Sequence, residues 1–349
     1  MFKKGHLYRG RKPVHWSPSS RTALAEAELE YPDKHFSRSI YVGFPIESAT
    51  DALSSHADAK VAIWTTTPWT MPANLAVAVN PDLDYSVVTN PTTGKLIVAT
   101  DLASKLAVTL KLSEENASFE TLATLKGSDL VGTTYKHPLY DRISPVLAGG
   151  DYITTESGTG LVHTAPGHGQ EDYLTGMKNG LELLSPVDDA GRFTEEAGER
   201  FVGKDVLGDG NLEAIIALSE VGALLMEEKY QHKYPYDWRT KKPTIFRATS
   251  QWFCSIDGFK DAAMDAIDTV EWVPSVGKNR ITSFVSGRSD WCISRQRSWG
   301  VPIPVFYDDS GENTLINDET IAHIEKIFAE HGSDAWWTMS VEEVRRSEE

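Results

Sequence analysis

Short apolar runs separated by turn-forming residues dominate the chain between residues 39 and 235. Several of these runs combine β-branched or aromatic residues with Gly, Pro, Asn or Asp at their borders, a pattern that is typical of β-strands. The strands predicted in this way cover residues 40–44, 60–64, 85–88, 95–100, 152–155 and 160–164. Strands rather than helices should therefore form the core of this region.

Helical periodicity appears between and after these runs. Residues 170–178 and 211–225 are predicted helices, and two further helices follow residue 236. The apolar residues that define them are Phe259, Ala262, Ala263, Ala266, Ile267 and Val270 in the first and Ile321, Ile324, Ile327 and Phe328 in the second, which Gly332 should end. Residues 25–31 have a helix-forming composition, but apolar and charged residues alternate strictly there, so we predict a strand.

The order of these elements predicts an α+β fold that is mainly β. Many short strands with a few helices among them favour a barrel-like domain decorated by helices over a doubly wound parallel sheet. At 349 residues the chain also exceeds the usual size of a single hydrophobic core. We therefore predict three sections, which cover residues 1–38, 39–235 and 236–349.

Charge and cysteine content narrow the classes of function. The chain has 34 Lys and Arg residues against 50 Asp and Glu residues, a net charge of −16, so a nucleic-acid partner would need local basic patches. Cys254 and Cys292 are far apart and outside any CxxC motif, which fits a reducing compartment. No apolar run approaches eighteen residues and no secretory signal is seen, so we expect a soluble, intracellular protein.

The first segment with candidate chemistry is residues 64–74, WTTTPWTMPAN, which follow an apolar strand. Threonine hydroxyls both donate and accept hydrogen bonds, so Thr66, Thr67 and Thr70 could face one cavity and bind ribose hydroxyls or an ester carbonyl. The alternative is an ordinary β-branched strand end followed by a turn. Trp69 weakens that alternative, because an exposed turn seldom carries a tryptophan with nothing to pack against.

The second segment is residues 158–172, GTGLVHTAPGHGQED, which supply imidazoles and carboxylates after another strand. Asp172 lies near the start of a predicted helix, whose dipole should keep it ionised as an anchor for a cation; a helix-terminal charge with no further role is the alternative. His163 is placed to form a pocket wall, whereas His168 could cap a turn. The spacing of these three residues does not match a helical zinc motif, so a metal site is the less favoured interpretation.

These two segments and residues 290–304, DWCISRQRSWGVPIP, resemble isoleucyl-tRNA synthetases of the bacterial type. The likeness runs in order over nearly the whole chain. Valyl and leucyl relatives resemble it less, since they usually carry Arg-Pro where this chain has Thr67 and Pro68. The HxGH-type and KMSKS-type motifs with which class I synthetases activate amino acids do not occur in this sequence. The resemblance therefore implies that this chain does not activate isoleucine by itself.

The resemblance also implies a role for each section of the chain. Residues 1–38 would be connecting strands from a class I, Rossmann-like catalytic core, residues 39–235 would form the editing domain, and residues 236–349 would return into that core. The editing domain would hydrolyse valine wrongly attached to the isoleucine tRNA. Positioned water can suffice for an already labile ester, so no cofactor and no metal is expected for editing, and ATP and Mg²⁺ would serve only the full-length synthetase.

The site residues follow by carry-over from the resemblance. Asp172 would bind the α-ammonium of the valine, while His163 and Trp69 would limit the volume available to its side chain. The threonines and Asn74 would contact the terminal adenosine and the ester. The candidate catalytic residues are Asp172, Thr66, Thr67 and His163, and the candidate substrate-binding residues are Thr65, Trp69, Thr70, Asn74, Gly160 and His168.

A basic stretch with interleaved aromatic residues lies between residues 229 and 247. Such a surface can hold an acceptor strand, although a solvated face is an equally good interpretation. The candidate tRNA-binding residues are Lys229, Lys233, Arg239, Lys241, Lys242 and Arg247. The implied partners are the acceptor end of tRNA(Ile), the misattached valine, and the catalytic and anticodon-binding regions of the synthetase, in the cytoplasm or in a chloroplast or mitochondrial matrix. Two other hypotheses are a non-catalytic tRNA-binding piece of a split synthetase and a metal-dependent hydrolase.

Overall fold

The computed structural model describes residues 1–112, 118–286, 290–311 and 313–345. Strands make up most of the regular secondary structure in the first 254 residues. They are, in chain order from β1 to β18, Leu7–Ser17, Thr22–Leu24, Leu29–Glu30, His35–Ser48, Lys60–Thr65, Ala76–Val79, Asp84–Asn90, Gly94–Ala99, Glu120–Lys126, Thr134–Lys136, Ile143–Ala148, Leu161–Thr164, Leu224–His232, Tyr236–Asp237, Ile245–Cys254, Trp291–Cys292, Phe306–Tyr307 and Thr314–Leu315.

Helices are fewer and lie mostly in the second half of the chain. The α-helices, α1 to α9, are Ala103–Thr109, Gly127–Leu130, Gln170–Lys178, Asp209–Glu220, Asp257–Thr269, Val276–Ser286, Asp318–His331, Ala335–Thr338 and Val341–Arg345. The 3₁₀ turns are Phe2–Lys4, Glu26–Glu28, Asp51–His56, Pro68–Ala73, Thr100–Leu102 and Glu195–Ala197. None of the helices in the described ranges has the length and apolar character needed to cross a membrane.

The largest sheet carries most of the hydrophobic core. Its strands follow the order β12-β6-β11-β10-β4-β5-β8-β7-β9, and β13 pairs with β4 outside that path. β12 also contacts β5, so the strands between them curl back on themselves like a barrel. Ile40, Val61 and Val77 are among the residues that this curl buries completely or almost completely. The prediction of a mixed, mainly β fold is confirmed.

A smaller sheet joins the two sequence flanks of the large one. Its order is β16-β15-β1-β2, and β1 and β15 are antiparallel, with Leu7 opposite Cys254 and Trp16 opposite Ile245. Trp16 and Ile245 are buried together with Val187 in a second apolar cluster. The first and last parts of this region are therefore held together by one continuous pair of strands.

The chain divides into two compact units, residues 1–293 and 294–349. The second unit has the β17–β18 hairpin and α7, α8 and α9, and Ile324, Ile327 and Val344 form its small core. The three functional sections with boundaries at 38 and 235 remain a prediction.

Several predicted elements are observed closely. Residues 40–44, 60–64, 85–88 and 95–99 lie in β4, β5, β7 and β8, and the helix at 170–178 is α3. The two later helices are α5 and α7, and α7 ends at Gly332. Local periodicity was therefore sufficient to locate these elements.

Three predictions were wrong in part or entirely. Residues 152–155 are not a strand, because the Ile153 carbonyl accepts from the Asn80 side chain and not from a neighbouring strand. In residues 25–31 only Leu29–Glu30 is a strand, since the Glu28 side chain accepts from the Ala25 N–H and closes a 3₁₀ turn. The helix predicted at 211–225 stops at Glu220, after which the chain turns into β13.

Candidate functional site

The threonine-rich segment forms a buried turn at the end of β5. Pro68 starts the 3₁₀ turn Pro68–Ala73, where a proline has no N–H to leave unpaired. Every residue of this turn is buried. Thr65 Oγ1 accepts from the Thr67 N–H at 3.1 Å, which sets the direction in which the chain leaves the strand. The sequence thus builds a rigid corner between β5 and β6.

His163 on β12 fixes that corner to the second segment. The Asn74 side-chain amide donates to His163 Nδ1 at 2.8 Å, so His163 must carry its proton on Nε2 and donate it to Thr70 Oγ1, also at 2.8 Å. The Thr70 hydroxyl donates in turn to the Thr67 carbonyl at 2.8 Å. Burial, with the nearby His137 and His168, lowers the pKa of His163 to about 3. This imidazole is therefore neutral, and both of its nitrogens are occupied.

Asn74 is the centre of this network. Its side-chain oxygen accepts from the Tyr135 hydroxyl at 2.6 Å, and its backbone carbonyl accepts from Arg142 Nη1 at 2.6 Å. Tyr135 is fully buried against Phe44, with ring centroids 4.9 Å apart. Sequence reasoning missed Tyr135 and Arg142, because they come from β10 and the loop after it and belong to no recognisable motif.

His168 joins the loop after β12 to both the turn and β15. Its ring meets Trp69 edge to face with centroids 4.9 Å apart, and its Nδ1 donates to the Phe246 carbonyl at 2.9 Å. Burial lowers its pKa to about 4. A neutral imidazole that donates from Nδ1 has a lone pair on Nε2, and this buried atom has no hydrogen-bond partner within the described residues. The His168 imidazole thus packs the loop against the turn and against β15, with its Nε2 buried from solvent.

Asp172 differs from the sequence expectation in its charge. It lies in the first turn of α3, and its Oδ2 accepts from the Ala165 N–H at 2.9 Å. Loss of solvation raises its pKa to about 7 in spite of that bond, with Glu171 acting in the same direction. The helix dipole alone predicts a permanently ionised carboxylate, and burial overrides it. A Cβ on Gly169 would lie 3.0 Å from the Asp172 carboxyl carbon, so a larger residue there would press on this side chain.

A cavity of about 310 Å³ opens beside the turn. Thr66 and Thr67 line it together with Trp69, whose backbone N–H donates to the Asn211 side-chain oxygen at 3.0 Å. Thr70 and Asn74 are buried behind this wall and support it. Of the threonines predicted to face one cavity, Thr66 and Thr67 therefore do so and Thr70 does not. Asn211 is a further lining residue that sequence reasoning missed.

A row of hydrogen-bonded side chains borders the same cavity. His35 and Tyr234 line it with their rings stacked at 4.4 Å between centroids. Ser37 Oγ lies 3.1 Å from His35 Nε2 and 2.9 Å from His232 Nε2, and His35 Nδ1 lies 2.9 Å from the Tyr236 hydroxyl. No sequence signal joined these residues, because β4 and β13 are far apart in the chain.

Gly160 has a packing reason to be glycine. Its φ of +77° is in the left-handed region, and an added Cβ would lie 2.3 Å from the Ala99 Cβ. The Gly160 carbonyl accepts from the Tyr85 hydroxyl at 2.8 Å. The residue thus brings the start of β12 against β7 and β8, whatever further role it has.

The candidate tRNA-binding residues differ in their surroundings and exposure. Lys229 on β13 lies over the Phe36 ring at 4.1 Å from its centroid, and Lys241 pairs with Glu30. Lys233, Arg239 and Lys242 are exposed. Arg247 on β15 is different, since its side chain is only 13% exposed and pairs with Asp189 at 2.7 Å.

The described residues contain no group of three His, Cys, Asp or Glu side chains close enough to hold a metal ion. His163 and His168 each direct a nitrogen to a protein partner instead.

Comparison with known proteins places the chain in a family. A family model described as tRNA synthetases class I (I, L, M and V) matches residues 1–349. The chain therefore belongs to the class I tRNA synthetases of that group.

Within the family, the resemblance to isoleucyl-tRNA synthetase is confirmed. The isoleucine–tRNA ligase of Microcystis aeruginosa (strain NIES-843 / IAM M-2473) is 64% identical over 346 residues, which cover 99% of this chain and 36% of the ligase. That of Nostoc punctiforme (strain ATCC 29133 / PCC 73102) is 62% identical over 355 residues, with 99% and 36% covered. The chain thus spans about a third of the length of these relatives. A solved structure, "The crystal structure of GlLeuRS-CP1", matches 54% of this chain and 98% of its own length with a TM-score of 0.40 and 16% identity.

Proposed function

We propose that this chain carries the editing activity of an isoleucyl-tRNA synthetase and hydrolyses valine attached to tRNA(Ile). A synthetase for isoleucine, itself the usual illustration of this problem, cannot reject valine strongly by binding alone, because the two differ by one methylene group. A second, smaller site that destroys the wrong product restores accuracy.

The observation that carries the proposal is the network through which His163, Asn74 and Thr70 hold the threonine-rich turn against the loop after β12. The network is neutral and buried, so it can keep a fixed pocket volume without attracting ions. Thr66 and Thr67 remain at the cavity wall to contact the ribose and the ester. Trp69 acts as a rigid wall that excludes a side chain larger than valine, and His163 supports the turn behind that wall.

The reaction needs positioned water and no covalent intermediate. The oxygen of water attacks the ester carbonyl carbon, the bond from that carbon to the ribose oxygen breaks, and a proton passes to the ribose oxygen. Threonine hydroxyls can stabilise the carbonyl oxygen as its charge develops. Asp172 binds the α-ammonium of valine.

The raised pKa of Asp172 gives this anchor a pH dependence. The carboxyl group is ionised above about pH 7, and an α-amino group is protonated below about 7.7 to 8.0. The ion pair therefore forms best between these values. We expect KM for the misacylated tRNA to rise as the pH falls below 7, while binding of uncharged tRNA stays constant.

The test is deacylation of Val-tRNA(Ile) and Ile-tRNA(Ile) by the purified chain. We expect valine to be released and isoleucine to be retained. Asp172→Asn should lower kcat/KM for valine release by about 30-fold or more, because losing a charged partner costs about 2–5 kcal/mol. The exposed neighbour in the same helical turn gives the matched control, Glu171→Gln, which should retain the activity.

Release of both amino acids at equal rates would contradict the proposal. No release above the spontaneous rate would instead make the chain a tRNA-binding piece that needs other parts of a synthetase. On our proposal editing requires no cofactor, while ATP and Mg²⁺ serve only the charging reaction of a complete synthetase. The acceptor end of tRNA(Ile) and the catalytic and anticodon-binding regions of that synthetase are the proposed partners.

A further inference from the structure

A second polar cavity, of about 650 Å³, lies beside β15. We call it the arginine basin, because four of its lining residues are arginines from separate parts of the chain. They are Arg11 on β1, Arg21 in the turn between β1 and β2, Arg192, and Arg247 on β15. Such a concentration of guanidinium groups stands out in a chain with a net charge of −16.

Three carboxylates also line the basin, those of Asp188, Asp189 and Glu196, and only one of them forms an ion pair with an arginine of the basin in the described residues. Asp189 pairs with Arg247, and Asp188 Oδ1 accepts from the N–H groups of Ala190 at 2.9 Å and Arg192 at 2.8 Å. Asp188 thus stabilises a turn. The side chains of Arg11, Arg21 and Arg192 have no ion-pair partner in the part of the chain that the structure describes. These three guanidinium groups therefore lie around one depression without an ion pair to any of its carboxylates, and the lining as a whole has four arginines against three acidic residues.

Arg247 forms a fixed floor for the basin. Its Nε donates to the Val187 carbonyl at 2.7 Å, and its guanidinium lies 4.9 Å from the centroid of the Trp16 ring. Burial lowers the pKa of Arg247, Asp189 and Asp188 act in the opposite direction, and the like charge of Arg11 adds the smallest influence, which is again a lowering one. The guanidinium groups of Arg11 and Arg247 therefore repel each other, and an anion bound between them would relieve that repulsion.

The backbone conformation of Arg21 supports a role for its side chain in binding. Its φ is +50°, a left-handed conformation that costs a side-chain-bearing residue roughly 1 kcal/mol and is usual only for glycine, asparagine or aspartate. A strained conformation retained for an exposed arginine points to a use for the side chain.

The basin also shares a strand with the candidate site. Phe246 accepts from His168, and the Ala248 N–H donates to the Gly167 carbonyl at 2.9 Å. Arg247 lies between these two contacts. A ligand held in the basin is thus one residue away, along β15, from the strand positions that hold the loop of the candidate site.

We propose that the arginine basin binds phosphodiester groups of RNA and positions the acceptor strand of the tRNA for entry into the candidate site. Guanidinium groups match phosphate oxygens in pairs of parallel hydrogen bonds, and a cavity of this size can accept more than one phosphate. The identity of the RNA rests on the proposed editing function, whereas the anion site itself rests on the geometry of the four arginines.

The experiment measures binding of fluorescently labelled tRNA(Ile) to the purified chain by anisotropy at several NaCl concentrations. The test variant is Arg21→Gln/Arg192→Gln, which removes two exposed cations of the basin. The control is Lys111→Gln/Lys136→Gln, which removes two exposed cations outside it. Each lost phosphate contact should reduce the slope of log Kd against log[NaCl] by about 1, so we expect a reduction of about 2 in the test variant and almost none in the control.

Equal slopes in the two double variants would overturn the proposal, and so would a wild-type chain that does not bind tRNA. A titration with tripolyphosphate distinguishes the sources of the anion. Competition with tRNA, lost in the basin variant, supports the proposal, whereas tight tripolyphosphate binding without any effect on tRNA would assign the basin to free phosphates. If the basin variant lowers the salt slope of tRNA binding but the wild-type chain does not release valine, the editing function is overturned and the basin is kept. If the wild-type chain releases valine but the basin variant leaves the slope unchanged, the editing function is kept and the basin is overturned.

Discussion

The candidate site and the arginine basin contact the same stretch of β15, but they differ in how their polar side chains are paired. At the candidate site His163, Asn74 and Thr70 satisfy one another, and burial keeps the imidazole neutral. In the basin the guanidinium groups of Arg11, Arg21 and Arg192 have no ion-pair partner within the described residues. The first arrangement defines a shape, and the second attracts a ligand. A site for an ester linked to RNA needs both.

The largest effect that we expect to distinguish the candidate site from the basin is a loss of stability at acid pH, which arises from buried histidines around the candidate site. Burial lowers the pKa values of His137, His163 and His168 to about 4, 3 and 4. A histidine whose folded pKa lies below 6.5 contributes stability that is complete above pH 6.5 and is lost as the pH falls through its folded pKa. Asp172, with its pKa raised to about 7, acts the other way and offsets part of the loss. We expect the free energy of unfolding to fall from pH 6.5 to 4.

Urea unfolding followed by tryptophan fluorescence at several pH values checks this expectation. His163→Gln should make the decline shallower, and the exposed His6→Gln should not. No histidine lines the basin, so the salt dependence of tRNA binding should persist until the fold itself is lost. A free energy of unfolding that does not change between pH 6.5 and 4 would contradict the buried, neutral state of these imidazoles.

The next effect concerns the centre of the network. Asn74→Ala leaves the Tyr135 hydroxyl and His163 Nδ1 buried without partners, at about 1–3 kcal/mol for each. We expect a loss of about 3 kcal/mol in the free energy of unfolding, measured by urea denaturation. The exposed Asn179, which donates to the Thr175 carbonyl, gives a matched control in Asn179→Ala, with a loss of about 0.5 kcal/mol.

The Asn74→Ala variant also tests whether the candidate site and the arginine basin can be disturbed separately. At a temperature where Asn74→Ala is still folded, valine release should decrease while the slope of tRNA binding against salt stays unchanged. Equal stability of the two asparagine variants would show that the network does not hold the turn.

The smallest effect is expected at Arg21. Arg21→Gly relieves the positive φ, and after the greater flexibility of glycine in the unfolded chain is subtracted, the free energy of unfolding should increase by about 0.5 kcal/mol. The same change should weaken tRNA binding several-fold. Arg21→Lys, which retains the charge and the strained backbone, should leave stability unchanged. A destabilised Arg21→Gly would mean that the arginine is held in place for the fold and not for a ligand.

Local sequence predicted the elements on which the site is built, but not how their side chains meet. The strand before Thr65 and the helix that carries Asp172 follow from periodicity, and the resemblance to isoleucyl-tRNA synthetase supplied the functional hypothesis. The pKa of Asp172 did not follow, because the helix dipole is local whereas burial depends on the tertiary fold. Tyr135 could not be found either, since its partner Asn74 lies 61 residues away in sequence.

The arginine basin was even less accessible to sequence reasoning. Of its four arginines only Arg247 drew attention, because it closes a basic stretch. Arg11, Arg21 and Arg192 are isolated in the sequence. The pairing of β1 with β2 and β15 brings Arg11 and Arg21 to Arg247, and hydrogen bonds from Trp16 to the Asp189 carbonyl and from Arg247 to the Val187 carbonyl hold the loop that carries Arg192. A charge cluster of this kind has no periodicity or spacing that a linear reading could detect.

The pairing of β1 with β15 also has a consequence for the order of synthesis. β1 leaves the ribosome before β15, because its partner residues from Ile245 to Cys254 are made only after the whole large sheet. At about 5–20 residues per second the wait is roughly 10–50 s. During that time β2 can pair with His15, Trp16 and Ser17. This short hairpin covers part of the Trp16 indole until β15 has been synthesised and pairs with β1.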